Sequence, residues 1–196
     1  MAIAERTMTL EEFLALPEEE PPLEFWDGVV RQKVSPQNQH GMLQFNFGKL
    51  LDGIVGPSGL GQVFTETRFR ADRGSPVPDL SFYRRERIPL LPNGWVSNER
   101  LGPPDLAVEI VSPEQSVSQL IHKCLGYAAS GVRVTLLVVP NDEMVFAFRP
   151  DAPLQALHGA DRIDLDDVLP GFELTVTGLF DLLVPPWARS AEAPTQ

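Results

Sequence analysis

Two carboxylates set inside apolar runs are the residues of this chain best placed to do chemistry. Asp79 lies in Val77-Pro78-Asp79-Leu80-Ser81-Phe82, and Glu109 in Pro104-Asp105-Leu106-Ala107-Val108-Glu109-Ile110-Val111. Both runs read as strands, the second longer and buried. An ionised carboxylate there is costly to bury unless it is paired, hydrogen-bonded or bound to a metal. Two such acids, followed by a helical segment carrying Lys123, predict a hard-metal site beside a cation, suited to phosphodiester hydrolysis. Asp79, Glu109, the Ile110 carbonyl and waters would satisfy Mg²⁺ or Mn²⁺, which prefer oxygen ligands. Without the ion, two carboxylates sharing a site should raise at least one pKa.

Each residue also has a plainer reading. Glu109 could be satisfied by backbone N–H groups or an arginine at a strand end, and Pro78-Asp79 also suits a turn. Lys123 lies about 130° from the centre of its helix's apolar face, at about 100° per residue, on a strip with Gln119 and Tyr127. A solvated lysine is the ordinary state of such a position. The catalytic reading requires this flank to lean over the end of the Glu109 strand, where a cation could orient water or stabilise phosphate charge.

The elements that must position these groups follow from pattern. Thr7 or Thr9 can cap a helix over Leu10–Leu16, with Glu11 and Glu12 in its first turn. Leu23–Trp26 and Val29–Val34 flank Asp27-Gly28, the signature of a type I′ hairpin. Leu43, Phe47, Leu50, Leu51 and Ile54 then recur at helical spacing. Gln62–Ala71 alternates, with Val63, Thr65, Thr67 and Phe69 on one face and Glu66, Arg68 and Arg70 on the other, predicting a half-buried strand. Residues 84–104 carry four prolines and no sustained period, the character of a functional flap.

Past the Glu109 strand, Ser112-Pro113-Glu114-Gln115 resembles a capping box, and Ser116 offers a second cap. Val117, Leu120, Ile121, Cys124, Leu125 and Ala128 form one helical face that Gly131 closes. Val132–Val139 and Met144–Phe148 read as a hairpin about Pro140-Asn141-Asp142, and a last helix falls near Leu179–Leu183. The tail from Pro185 has the composition of a disordered segment. The pattern predicts a mixed α/β sheet flanked by helices, one domain over residues 8–184.

Composition narrows the function classes. A chain of 196 residues fits one domain. No apolar run approaches the ~20 residues of a membrane span, and the start lacks the order of a signal peptide. The single Cys124 excludes an intrachain disulfide framework, so a soluble cytoplasmic protein is expected. The net charge of -11 argues against non-specific nucleic-acid binding, but the charge is uneven. Residues 68–100 hold seven arginines against four acids, whereas 11–27 hold seven acids and no base. Arg68, Arg70, Arg84, Arg85 and Arg87 are therefore the candidate DNA contacts.

Other chemistries lack support. The three histidines and one cysteine have no zinc spacing, and Cys124 falls on an apolar face as an inert thiol would. No Gly-x-Ser-x-Gly elbow occurs, and Gly56–Gly61 lacks the lysine of a phosphate loop. Trp95, in the flap, is the one tryptophan placed to stack on a base.

The order Leu23-Glu24-x-x-Asp27-Gly28, His40, Pro78-Asp79-Leu80, Pro104-Asp105-Leu106-x-Val108-Glu109-x-x-Ser112-Pro113, Lys123-x-x-x-Tyr127 and Gly131-Val132 resembles the Uma2 family of restriction endonuclease-like proteins, within the PD-(D/E)XK nuclease superfamily. The resemblance spans residues 8–184. It implies an αβββαβ restriction endonuclease-like core in which Asp79 and Glu109 bind Mg²⁺. The superfamily's usual lysine position is Val111 here, and the family's helical lysine matches Lys123. Glu24 and His40 match recurring family positions, with a hairpin support and a helix cap as their alternatives. Gln119 stands where the family often has an acid, and Thr135-Leu136 and Val139 where it often has an aromatic pair and an aspartate.

The reading is a Mg²⁺- or Mn²⁺-dependent DNA endonuclease. A non-catalytic nucleic-acid or protein-binding module that keeps the fold is the alternative, and a hydrolase of a small phosphorylated substrate the third. Cutting both strands needs two sites, which makes a homodimer plausible, although no residue requires it.

Overall fold

The computed structural model describes residues 6–113 and 115–189. Elements run β1 (Arg6–Thr7), α1 (Leu10–Leu14), β2 (Leu23–Trp26), β3 (Val29–Gln32), α2 (Asn38–Ser58), β4 (Gly61–Thr65), β5 (Gly74–Ser75), β6 (Leu80–Arg84) and β7 (Leu106–Ile110). They continue with α3 (Val117–Ala129), β8 (Val134–Val139), β9 (Met144–Phe148), β10 (Gln155–His158), α4 (Val176–Phe180) and α5 (Pro186–Arg189).

The main sheet is ordered β10-β9-β8-β7-β6-β4. It is mixed: β7 and β8 are parallel, and the other pairs are antiparallel. The parallel pair needs a crossover, which α3 supplies. The run α2-β4-β6-β7-α3-β8 is the αβββαβ order that the family resemblance implies.

Side chains alternate across the sheet and divide the core. Leu106, Val108 and Ile110 join Leu80 and Phe82 beneath Leu43, Phe47, Leu51 and Val55 of α2. Facing the other way, Val111, Leu137 and Val139 pack with Leu120, Cys124 and Ala128 of α3. Glu109, an odd-numbered residue of β7, therefore shares the α3 side. The Cys124 thiol is buried, and burial raises its pKa well above the ordinary value.

The second sheet, ordered β1-β3-β2-β5, is built on the expected hairpin. Asp27 and Gly28 both have positive φ, 51° and 84°, as a type I′ turn requires. Trp26 carries this sheet onto α3, with its ring 6.1 Å from that of Tyr127. The approach is so close that a Cβ on Gly126 would lie 2.1 Å from Trp26 Cζ2. Only glycine fits there.

Several sequence expectations are corrected. The Gln62–Ala71 alternation gives a strand only as far as Thr65, because Glu66 turns into the left-handed region at φ 50°. Arg68 and Arg70 consequently share no strand face. Thr9 caps α1, which stops at Leu14, and Ser116 rather than Ser112 caps α3. Glu114 lies outside the described residues. The helix expected near Leu179–Leu183 comes earlier, as α4, and passes into a tight turn over Asp181–Leu183. Pro186–Arg189, placed in the expected disordered tail, is helical, and residues 190–196 lie outside the described residues.

Candidate functional site

The β6–β7 register sets the two acids together. Leu80 stands opposite Val108, and one step further along the antiparallel ladder Asp79 comes opposite Glu109. Asp79 directly precedes β6, and its Oδ2 accepts the Ile110 N–H at 2.6 Å. A strand residue's N–H and C=O point to the same edge, so the Ile110 carbonyl also faces the Asp79 edge.

Asp79 Oδ1 is buried and has no aligned hydrogen bond. Its close neighbours are ionic: Lys33 Nζ at 2.8 Å and His40 Nε2 at 3.3 Å. His40, in the first turn of α2, also meets Ser112 Oγ through Nδ1 at 3.0 Å. Burial pushes the Asp79 pKa up, but Lys33 and His40 overcome that and hold it far below the usual carboxylate range.

Glu109 is balanced differently. Tyr127 donates its hydroxyl to Oε1 at 2.6 Å, and Lys123 Nζ lies 2.9 Å from the same oxygen. Burial pushes the Glu109 pKa up to about 7, opposed by Lys123 and reinforced by Asp79 and Glu24. One carboxyl of the pair is thus raised, as two acids sharing a site require, although burial outweighs the neighbouring charge. The same burial would lower the Lys123 pKa, but Glu109 and Glu24 keep it raised.

Lys123 is held at both ends of its reach. Glu24, from β2, grips Nζ with both oxygens at 2.8 and 2.9 Å, and its Oε1 also accepts the Val77 N–H. The lysine side chain is 16% exposed, so it is no freely solvated group. Glu24, His40 and Tyr127 all reach the site with Asp79, Glu109 and Lys123. Gln119 does not: it is exposed, and its backbone N–H belongs to the Ser116 cap.

Three participants escape a reading of the sequence. Lys33, one residue past β3, is 7% exposed and bridges Asp79 Oδ1, Glu66 Oε2 at 2.8 Å and the Val77 carbonyl at 3.0 Å. Gln44 Nε2 donates to Glu66 Oε1 and to the Asp79 carbonyl. Glu66 therefore sits in a strained backbone conformation with its carboxylate tied to the site, where such strain commonly gathers. The one hint for Lys33 was its place near the end of the expected hairpin strand Val29–Val34; Glu66 and Gln44 had none.

A groove of about 1170 Å³ opens over this network, with Lys33, Gln44, Glu66 and Val77 among its lining residues. Arg68 and Arg100 also line it. Arg70, Arg84, Arg85 and Arg87 do not. Arg68 donates to the Ser75 carbonyl, Arg84 to the Asp167 carbonyl, and Arg87 pairs with Asp105 at 3.0 Å. Of the five candidate arginines only Arg68 lines the groove. Trp95 is exposed and lies outside the groove lining.

Among the described residues no group of three or more His, Cys, Asp or Glu is placed to hold a metal. Two carboxylates and a strand carbonyl nonetheless meet the minimum for an ion that keeps several waters. The buried, unaligned Asp79 Oδ1 is the atom such an ion would satisfy. The residues fit, provided the Lys33 ammonium yields that oxygen.

This fold and this site define a restriction endonuclease-like α/β protein. The family model of Uma2, "Putative restriction endonuclease", matches residues 10–177, and the chain belongs to that family. It is similar to the crystal structure of a "putative nuclease belonging to DUF820" from Anabaena variabilis ATCC 29413, at 31% identity and a TM-score of 0.85. That match covers 90% of this chain and 99% of the other. Among curated proteins none matches. Among the described residues no helix is long and apolar enough to cross a membrane.

Proposed function

We propose that the chain is a divalent-metal-dependent DNA endonuclease that hydrolyses phosphodiester bonds. The observation that carries the reading is the juxtaposition of Asp79 and Glu109 that the β6–β7 register sets, with Lys123 on Glu109 and a groove lined by Lys33, the partner of Asp79. Asp79, Glu109 and the Ile110 carbonyl would hold Mg²⁺ or Mn²⁺. When bound, the ion supplies Lewis acidity to a phosphoryl oxygen and makes water a better nucleophile. The chain's own residues orient the rest. Tyr127 fixes the Glu109 carboxyl, and Glu24 fixes Lys123 so that its ammonium can stabilise charge gathering on the phosphate. The groove admits the strand to be cut. Two such sites in a homodimer would serve the two strands of a duplex, and the lone buried Cys124 suits a reducing cytoplasm.

One observation favours a non-catalytic nucleic-acid or protein-binding module instead: each acid of the pair already has a lysine partner. Plasmid nicking with and without Mg²⁺ or Mn²⁺, repeated with Asp79→Asn, separates the two. Metal-dependent nicking that the variant loses is expected. DNA binding without nicking under any metal gives the binding module, and neither activity leaves the small-phosphate hydrolase.

A further inference from the structure

We propose that Lys33 holds the position of the metal's charge in the metal-free protein, and that Glu66 receives its ammonium when a divalent cation binds Asp79. The inference rests on the metal reading above and adds a built-in exchange to it.

The geometry already contains both ends of the exchange. Lys33 Nζ lies 2.8 Å from Asp79 Oδ1 and 2.8 Å from Glu66 Oε2. A cation taking Oδ1 would repel the ammonium, and like charges at such range in a buried setting cannot coexist cheaply. Two other acceptors of Nζ remain: Glu66 and the Val77 carbonyl at 3.0 Å. Lys33 thus need not leave the protein interior or break all of its bonds. It only shifts its share from one carboxylate to the other.

Glu66 is prepared for that share. Its other oxygen accepts from Gln44 Nε2 at 3.0 Å, while the same amide nitrogen donates to the Asp79 carbonyl at 2.9 Å. Gln44 therefore ties the receiving carboxylate to the backbone of the metal-site acid. The left-handed φ at Glu66 ends β4 where it can turn this side chain back toward Lys33. All three side chains line the groove, so the shifted ammonium would stay beside a bound strand. Lys33 is in this sense a positioning residue, acting on the metal through Asp79.

The consequence is a specific coupling. Lys33 competes with the ion, so its removal tightens metal binding. Glu66 is one of two carboxylate partners of Lys33 without the ion but its only one with it, so losing Glu66 weakens binding as long as Lys33 is present. Calorimetric titration of MnCl₂ into the full-length chain tests this with Lys33→Met, Glu66→Gln and the double variant. Lys33→Met should tighten Mn²⁺ binding about tenfold, and Glu66→Gln should weaken it about fivefold, both within the usual span of coupling between sites. In the Lys33→Met background the Glu66→Gln effect should largely vanish, which a generic loss of negative charge would not produce.

Equal Mn²⁺ affinity in wild type and Lys33→Met overturns the exchange and leaves the metal reading standing. An undiminished Glu66→Gln effect without Lys33 does the same. Binding by none of the four proteins overturns both. Should Lys33→Met fail to fold, the wild-type Lys33 Nζ nitrogen resonance serves instead: Mg²⁺ binding that leaves it unmoved overturns the exchange, and a shift that Glu66→Gln alters supports it.

Discussion

Lys123 Nζ lies 2.9 Å from Glu109 Oε1 and 2.8 Å from Glu24 Oε1, so one ammonium joins β7 to the N-terminal hairpin. Glu24 and Lys123 are 99 residues apart in the chain. Their contact makes the hairpin part of the site rather than an ornament on the fold.

That junction predicts an unusual order of stabilities. Lys123→Met should cost about 3–5 kcal/mol, since it strands carboxylates in a buried setting. Adding Glu24→Gln should recover part of the loss, because the second acid no longer carries an unpaired charge while its amide oxygen still accepts the Val77 N–H. Chemical denaturation of the single and double variants measures this. Under the proposed function the double variant should bind Mn²⁺ but nick DNA far more slowly than the parent, because the lysine would act on the charge of the transition state. A double variant no more stable than Lys123→Met contradicts the shared-ammonium geometry.

How much of this was legible in the sequence depends on where each residue's partner lies. Asp79 and Glu109 announced themselves because charges inside apolar strands demand an explanation locally. The type I′ turn at Asp27-Gly28 is likewise written in two adjacent residues. Lys123 and Tyr127 were harder: their strip sits well away from the apolar face of α3, and helical pitch alone gives it to solvent. It is buried because Trp26, about a hundred residues earlier, packs on that flank against the bare Gly126. Lys33 looked like any lysine closing a hairpin strand, and Glu66 like the outward residue of an alternating strand. Only the left-handed turn at Glu66, which no residue type there signals, brings the two together.

The two acids should give the metal-free protein two separate pH responses. Glu109 is raised from an ordinary 4.5 to about 7, so the folded state takes up a proton in that window. Stability from this group is complete below about pH 4.5 and falls as pH rises toward about 7. Asp79 is lowered, so its contribution is present above the ordinary 3.8 and is lost as pH falls below it. Glu109→Gln mimics the protonated side chain. Its stability relative to wild type should therefore rise by on the order of 3 kcal/mol between pH 4.5 and 8 in chelator-treated protein. Denaturant midpoints measured across that range decide it, and a constant difference between the two proteins contradicts the raised Glu109.

If DNA is the substrate, the arginines should divide by whether they line the groove. Net charge is -11, so contact must be local, and binding should weaken steeply with salt through counterion release. The groove lining selects Arg100, whose side chain is 40% exposed and only 3.9 Å from Glu18, over the exposed Arg85 outside it. Arg68 is a poor probe, because its guanidinium is anchored on the Ser75 carbonyl and lies over the Phe13 ring. Arg100→Glu should weaken DNA binding and flatten its salt slope, while Arg85→Glu changes both less. Both side chains are surface groups, so thermal stability should move little in either variant. Fluorescence anisotropy with a labelled duplex across a salt series provides the comparison. A larger loss from Arg85→Glu than from Arg100→Glu would move the contact surface from the groove to the turn that follows β6.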